Sequence, residues 1–308
     1  MPNYDLLALD LDGTLLSTHG RIPEENIRAV AEARRAGIEV VVCTGRGWVE
    51  CRHILEAIGL RPAGGAPELT TGAYAITAGG AITSDAATGR TVHRVAMPPE
   101  DVAAVVNIMH DEAHAALILK DNTAAGYDYL IVTGPDDHPV DPVSAWWFAK
   151  LGVELRFAQH LEDDEHPEHT VRVGACHDLP RIDPVAQRVT RELGERLTLH
   201  AFAGVVAPEL PGDENGDPRE IQLFEAFSRR ANKWAAVERL AEERGVPRQR
   251  VAAIGDEIND VPMIRNAGLG IAMGNAVDAV RNVANRHTLP NTEAGVAHAI
   301  ERILAGDW

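Results

Sequence analysis

Four short stretches of this sequence carry side chains able to do chemistry on an anion. Asp10-Leu11-Asp12-Gly13-Thr14 sets two carboxylates on either side of one residue, next to a glycine turn. Thr44-Gly45-Arg46 offers a hydroxyl, an unobstructed backbone amide and a guanidinium. Lys233 stands out because the chain has only three lysines, Lys120, Lys150 and Lys233, among 29 basic residues. Gly255-Asp256-Glu257-Ile258-Asn259-Asp260 adds three acids and an amide. Carboxylates drawn to about 4 Å of one another repel strongly unless a cation lies between them. An all-oxygen donor set suits a hard ion such as Mg2+.

The surrounding elements decide whether these stretches meet. Leu6–Leu9 is a short apolar run that breaks at the Gly13-Thr14 turn and reads as a buried strand. Ile38–Cys43 is apolar apart from Glu39 and ends on Thr44, the pattern of a strand covered on both faces. Val251–Ile254 is a third such run, ending on Gly255-Asp256. Helical stretches lie between them, with Pro23-Glu24-Glu25 as a start signal and Gly37 as a stop. Strand and helix alternating at this spacing predict right-handed βαβ units and a parallel sheet. Ligands of such sheets bind beyond the carboxyl ends of the strands, so Asp10, Asp12, Thr44 and Asp256 are expected at one edge.

The middle of the chain breaks that rhythm. Strands are expected at Thr91–Val95, Tyr129–Val132, Thr170–Val173 and Leu197–Phe202, and helices at Pro99–Ala113 and Asp183–Leu193. This predicts an α/β core in two parts, residues 1–85 and 214–308, around an inserted α+β domain at 86–213. The segment Pro208–Pro218 reads as the return linker.

Composition narrows the function classes. At 308 residues, with 45% hydrophobic and 24% charged residues, the chain is an ordinary globular one with two domains as the prior. Its net charge of −17 argues against a nucleic-acid or anionic-membrane binder. Three cysteines make no paired disulfide framework, and no stretch approaches the length of a membrane span. The expectation is a cytoplasmic protein, a monomer or small homo-oligomer. The inserted segment holds 21 acidic and 10 basic residues, so attraction of an anionic substrate has to be local.

The four stretches, in this order and at strand ends, resemble the motifs of the haloacid dehalogenase (HAD) superfamily of phosphohydrolases. The insertion after the third strand is similar to the C2-type cap of its Cof-like branch. The resemblance implies a Rossmann-like core, a cap that closes over a small phosphorylated metabolite, and Mg2+ as cofactor. It makes Asp10 the nucleophile that takes the phosphoryl group and Asp12 the acid that serves the leaving oxygen. Asp10, Asp256 and the carbonyl of Asp12 would hold the metal. Thr44, Gly45, Lys233 and Asn259 would bind phosphoryl oxygens, with Asp260, Glu257 and Arg46 supporting them from behind. A sugar phosphate is the leading substrate class, with a nucleotide or cofactor phosphate next. A sugar phosphomutase and a non-catalytic phospho-ligand sensor are the alternatives, the latter disfavoured by the intact Asp10 and Asp12. One departure from the branch is Thr77-Ala78-Gly79-Gly80-Ala81, where an Asn-Gly pair is common.

Other groups receive plainer readings. His110 and His114 have the spacing of a metal pair on a helix but read as a solvated face, as does the His166-Pro167-Glu168-His169 stretch. Trp146-Trp147-Phe148 reads as packing, with a cap surface as the alternative. Lys120-Asp121 and Asp128-Tyr129 are polar candidates for substrate selection.

Overall fold

A computed structural model describes residues 2–17, 20–63, 72–203 and 221–308. These form two compact units, residues 1–93 with 231–308, and residues 94–230. The first unit is the α/β core. Its first five strands are β1 (Leu6–Leu9), β2 (Glu39–Cys43), β3 (Tyr74–Thr77), β4 (Ile82–Asp85) and β5 (Thr91–Arg94). The second unit supplies β6 (Ala116–Lys120), β7 (Tyr129–Val132), β8 (Leu155–Ala158), β9 (Thr170–Asp178), β10 (Leu197–Ala203) and β11 (Ile221–Ser228). The chain then returns to the core with β12 (Val251–Gly255), β13 (Leu269–Ala272) and β14 (Arg286–His287).

The core sheet has the order β14-β13-β12-β1-β2-β3-β4-β5. Leu6–Leu9 pair in parallel with Val251–Ile254 on one side and Glu39–Val42 on the other. All four residues of β1 are essentially solvent-free, which explains why that strand is continuously apolar. Chain order reverses direction across β1, so the sheet has its switch point there. Asp10, Thr44 and Asp256 each follow the last residue of β1, β2 and β12. Residues some 250 positions apart are thus brought to one edge by backbone pairing alone.

Buried side chains lock the loop after β1 to the far end of the chain. Asn26 is fully buried on the helix Glu24–Arg35. Its Nδ2 donates to the Leu15 carbonyl at 3.2 Å, and its Oδ1 accepts from the Ala297 amide at 3.0 Å, on the helix Gly295–Ala305. Asn291 Nδ2 likewise donates to the Leu16 carbonyl at 2.8 Å.

The second unit is a six-stranded sheet of order β10-β11-β9-β6-β7-β8 with helices Pro99–Asp111 and Leu179–Leu193 packed on it. It extends differently from the expected 86–213. Thr91–Arg94 joins the core sheet beside β4, and Ile221–Ser228 pairs between β10 and β9 in the second sheet. Strand signals say that a segment is extended, but not which sheet it joins; only pairing decides that. The junction expected at 213 and the Pro208–Pro218 linker lie outside the described residues. No helix among the described residues is long and apolar enough to cross a membrane.

Candidate active site

The edge above β1, β2 and β12 gathers a dense group of charges. Lys233 opens the helix Lys233–Glu243, whose first turn is capped by Asn232 accepting from the Ala235 amide at 2.9 Å. Its side chain is 1% exposed. The ammonium donates at 2.6 Å to Oδ1 of Asp10 and at 2.6 Å to Oδ1 of Asp260. The other oxygen of Asp260 accepts from the backbone amides of Asp256 and Glu257 at 3.0 and 3.1 Å, which folds the turn after β12 back on itself. Asp256 Oδ1 accepts from the Thr14 hydroxyl at 2.7 Å.

Carboxylate oxygens of Asp10, Asp256 and Asp260 lie within 4.8 Å of one another, and all three residues are buried. Burial pushes the Asp10 carboxyl well above the ordinary range, and the neighbouring Asp260 and Asp256 add to it against Lys233. Asp256 is raised to about 7, again first by burial and then by Asp260. Burial alone would lower the Lys233 ammonium, but the carboxylates of Asp10 and Asp260 outweigh it and hold it above the usual lysine value. Three ionised carboxylates against one ammonium would leave two negative charges uncompensated, and the raised values of Asp10 and Asp256 register that cost. A divalent cation with a preference for oxygen balances that sum, so the residues present fit Mg2+.

Two glycines let the backbone approach this closely. Gly13 has φ +79°, and a Cβ there would lie 2.1 Å from Asp256 Oδ2. Gly80 has φ +100°, and its Cβ would meet the Asn232 carbonyl oxygen at 2.2 Å, just before Lys233. Between them in function is Ala78, held at φ +49° in the turn after β3. Gly79 and Gly80, which follow it, have positive φ as well, so the segment keeps a tight turn where the branch has Asn-Gly.

A family model described as haloacid dehalogenase-like hydrolase matches residues 7–300. The chain belongs to this family. Among curated HAD-like proteins, Phosphatase YwpJ of Bacillus subtilis is 29% identical over 97% of this chain and 99% of its own length. Pyridoxal phosphate phosphatase YbhA of Escherichia coli is 26% identical over 96% of this chain and 97% of its own. A solved HAD-like hydrolase from Bacteroides thetaiotaomicron superposes with a TM-score of 0.74 at 24% identity, covering 97% of this chain and 99% of that one. A second, from B. subtilis, gives 0.72 at 25% identity over 96% and 99%. The α/β HAD fold with an inserted domain is thereby established.

Within the HAD core, Asp10, Asp256, Asp260 and Lys233 come together, while the other expected residues take separate places. Asp260 accepts from the Lys233 ammonium, and it also has a carboxylate oxygen within 4.8 Å of those of Asp10 and Asp256. The Asp12 side chain turns to Arg46, whose Nε and Nη2 donate to its two oxygens at 2.8 and 2.5 Å. Arg46 therefore serves as an ion-pair partner. Thr44 is 1% exposed and accepts from the Arg46 amide at 3.1 Å, while Gly45 is half-buried between them. Glu257 caps the short turn Ile258–Asp260 by accepting from the Ile258 amide at 2.7 Å. Asn259 lies in that turn with its Oδ1 buried and unpartnered among the described residues.

Sequence reasoning missed two residues. Thr14 was in plain view within the first motif but had no assigned role. Asn275 donates to the Gly13 carbonyl at 2.8 Å and to Asp256 Oδ2 at 3.3 Å. Its signal was the end of β13, a further strand opening onto the same edge. Elsewhere, Phe148 is buried with its ring 4.8 Å from Tyr129, so that part of the tryptophan-rich stretch is packing. Asp128 accepts from Asn122 Nδ2 at 2.6 Å and from the Glu154 amide at 2.8 Å. Lys120 is enclosed by Asp164, Thr170 and the His166 carbonyl, and Asp121 by Arg94 and Thr123. All three are therefore engaged in holding the second unit together. His110 and His114 also serve the fold, their Nε2 atoms meeting the carbonyls of Val132 and Arg181.

Proposed function

We propose that this chain is a Mg2+-dependent phosphatase of small phosphomonoesters that works through an aspartyl-phosphate on Asp10. The observation carrying the proposal is the buried Asp10–Lys233–Asp260 arrangement beside Asp256, three carboxylates gathered around one ammonium. Lys233 occupies Oδ1 of Asp10, which leaves Oδ2 to attack phosphorus in line and expel the alcohol oxygen. Asp12 supplies the proton to that oxygen, and afterwards accepts one from the water that hydrolyses the acyl phosphate. For this, Arg46 must release an Asp12 oxygen; the phosphoryl group is the natural alternative partner for its guanidinium. Thr44, the Gly45 amide, Lys233 and Asn259 bind phosphoryl oxygens as charge develops on them. Asp10, Asp256 and the Asp12 carbonyl would hold Mg2+, which supplies charge neutralisation and polarises a phosphoryl oxygen when bound. Thr14 and Asn275 keep Asp256 oriented for that task.

The names of the curated relatives support a phosphatase. A sugar phosphate is the leading substrate, with a nucleotide or cofactor phosphate next. The test is release of inorganic phosphate from an aryl phosphate and a panel of phosphomonoesters, in Mg2+ and in EDTA. Turnover is expected only with the metal. It should fall at least a thousandfold in Asp10→Asn and by about 10²–10⁴ in Asp12→Asn. Metal-independent turnover, or an active Asp10→Asn, would overturn the proposal. Phosphate recovered on a second sugar would assign a mutase instead.

A further inference from the structure

The loop between β8 and β9 holds a group of side chains that the phosphatase reading does not use. His166, Glu168 and His169 each present a donor atom, and the three atoms lie within 4.8 Å of one another. The imidazoles of His166 and His169 are stacked, with centroids 5.8 Å apart and planes inclined by 24°. Nε2 of His169 lies 3.3 Å from Oε1 of Glu168. That is the edge of a tetrahedron whose bonds are about 2.0–2.1 Å long, since two such bonds at the tetrahedral angle span about 3.3 Å.

We propose that His166, Glu168 and His169 form a binding site for a zinc-class divalent metal, with a fourth position open to water. Two imidazoles and one carboxylate are the mixed nitrogen and oxygen set that such ions select, in contrast to the all-oxygen set around Asp10. The fold does not use the His169 ring in the way it uses other histidines. His110 and His114 spend a ring nitrogen on a backbone carbonyl, whereas Nδ1 of His169 is buried without a partner among the described residues. With no backbone carbonyl among the described residues taken up by the ring, Nε2 of His169 faces the Glu168 carboxylate and is available to a metal.

The loop is held in shape before any metal arrives. Pro167 opens the turn Pro167–His169, and the His166 amide donates to Asp164 Oδ1 at 3.0 Å. Lys120, 1% exposed, donates to the His166 carbonyl at 3.1 Å and to the Thr170 hydroxyl at 2.7 Å, and also contacts Asp164. The donor atoms therefore sit on a braced segment.

The experiment uses the full-length, tag-free protein with excess Mg2+ present, so that the oxygen site at Asp10 is filled. Zn2+ is titrated in by calorimetry, and Co2+ by its visible absorption, which is intense for four-coordinate nitrogen-containing sites and weak for octahedral oxygen ones. One equivalent of Zn2+ should bind, with an intense Co2+ band and a raised melting temperature. His166→Gln and His169→Gln should each weaken binding at least tenfold, and the double variant should lose the band. Circular dichroism of the metal-free variants should match wild type, as should their Mg2+-supported phosphate release. Zn2+ binding unchanged in the double variant, or absence of the intense band in wild type, would overturn the proposal.

Discussion

Asp256 provides a direct measure of the strain stored at the carboxylate edge. Its folded-state value of about 7 stands above the ordinary 3.8, chiefly through burial and then through Asp260. The folded chain therefore holds a proton that the unfolded chain has lost between about pH 4 and pH 7. The Asp256 contribution to metal-free stability therefore falls as pH rises through that window and levels off above it. At about 1.4 kcal/mol per unit, the full penalty at pH 8 approaches 4 kcal/mol. Asp256→Asn removes the charge while keeping an oxygen for the Thr14 hydroxyl. In EDTA the variant should be more stable than wild type at pH 8, and its advantage should grow by roughly 2–3 kcal/mol between pH 5 and pH 8. Urea unfolding at several pH values measures this. Saturating Mg2+ should reverse the order, because the ion stabilises only the protein whose carboxylate can bind it. A constant offset between the two proteins at all pH values would refute the reasoning.

Two further substitutions test the scaffold around the site. Ala78→Asn must seat an amide side chain where Ala78 is fully buried, so despite its suitability for positive φ in the turn after β3 it should cost about 1–3 kcal/mol, read by urea unfolding. Asn26→Leu strands the Leu15 carbonyl and the Ala297 amide inside the core, and should cost about 2–5 kcal/mol in the same assay.

Much of the core was legible because its signals are local. The apolar runs Leu6–Leu9, Ile38–Cys43 and Val251–Ile254 each end on a polar group, and a parallel sheet forces such ends to one edge. The short helix signals were equally plain: the expected Pro99–Ala113 forms as Pro99–Asp111. The inserted segment was harder. Ala116–Lys120, Leu155–Ala158 and Ile221–Ser228 pass without a clear alternation, and the helix Leu179–Leu193 carries Pro184, which placed its start four residues late.

Residue types and order alone pointed to an α/β chain with acids, a hydroxyl and a lysine at its strand ends, while the likeness to the HAD superfamily rested on the resemblance of four motifs. That information is carried by hydrophobic period and by turn residues, which act over a few positions. Which partner each charged group takes was decided only by the tertiary structure. Arg46 pairs with Asp12, Asp260 shares Lys233 with Asp10, and Asn275 bridges Gly13 to Asp256. These contacts join positions up to 262 residues apart. Their energies depend on burial and on the sum of nearby charges, quantities that exist only once the sheet has brought the strand ends together.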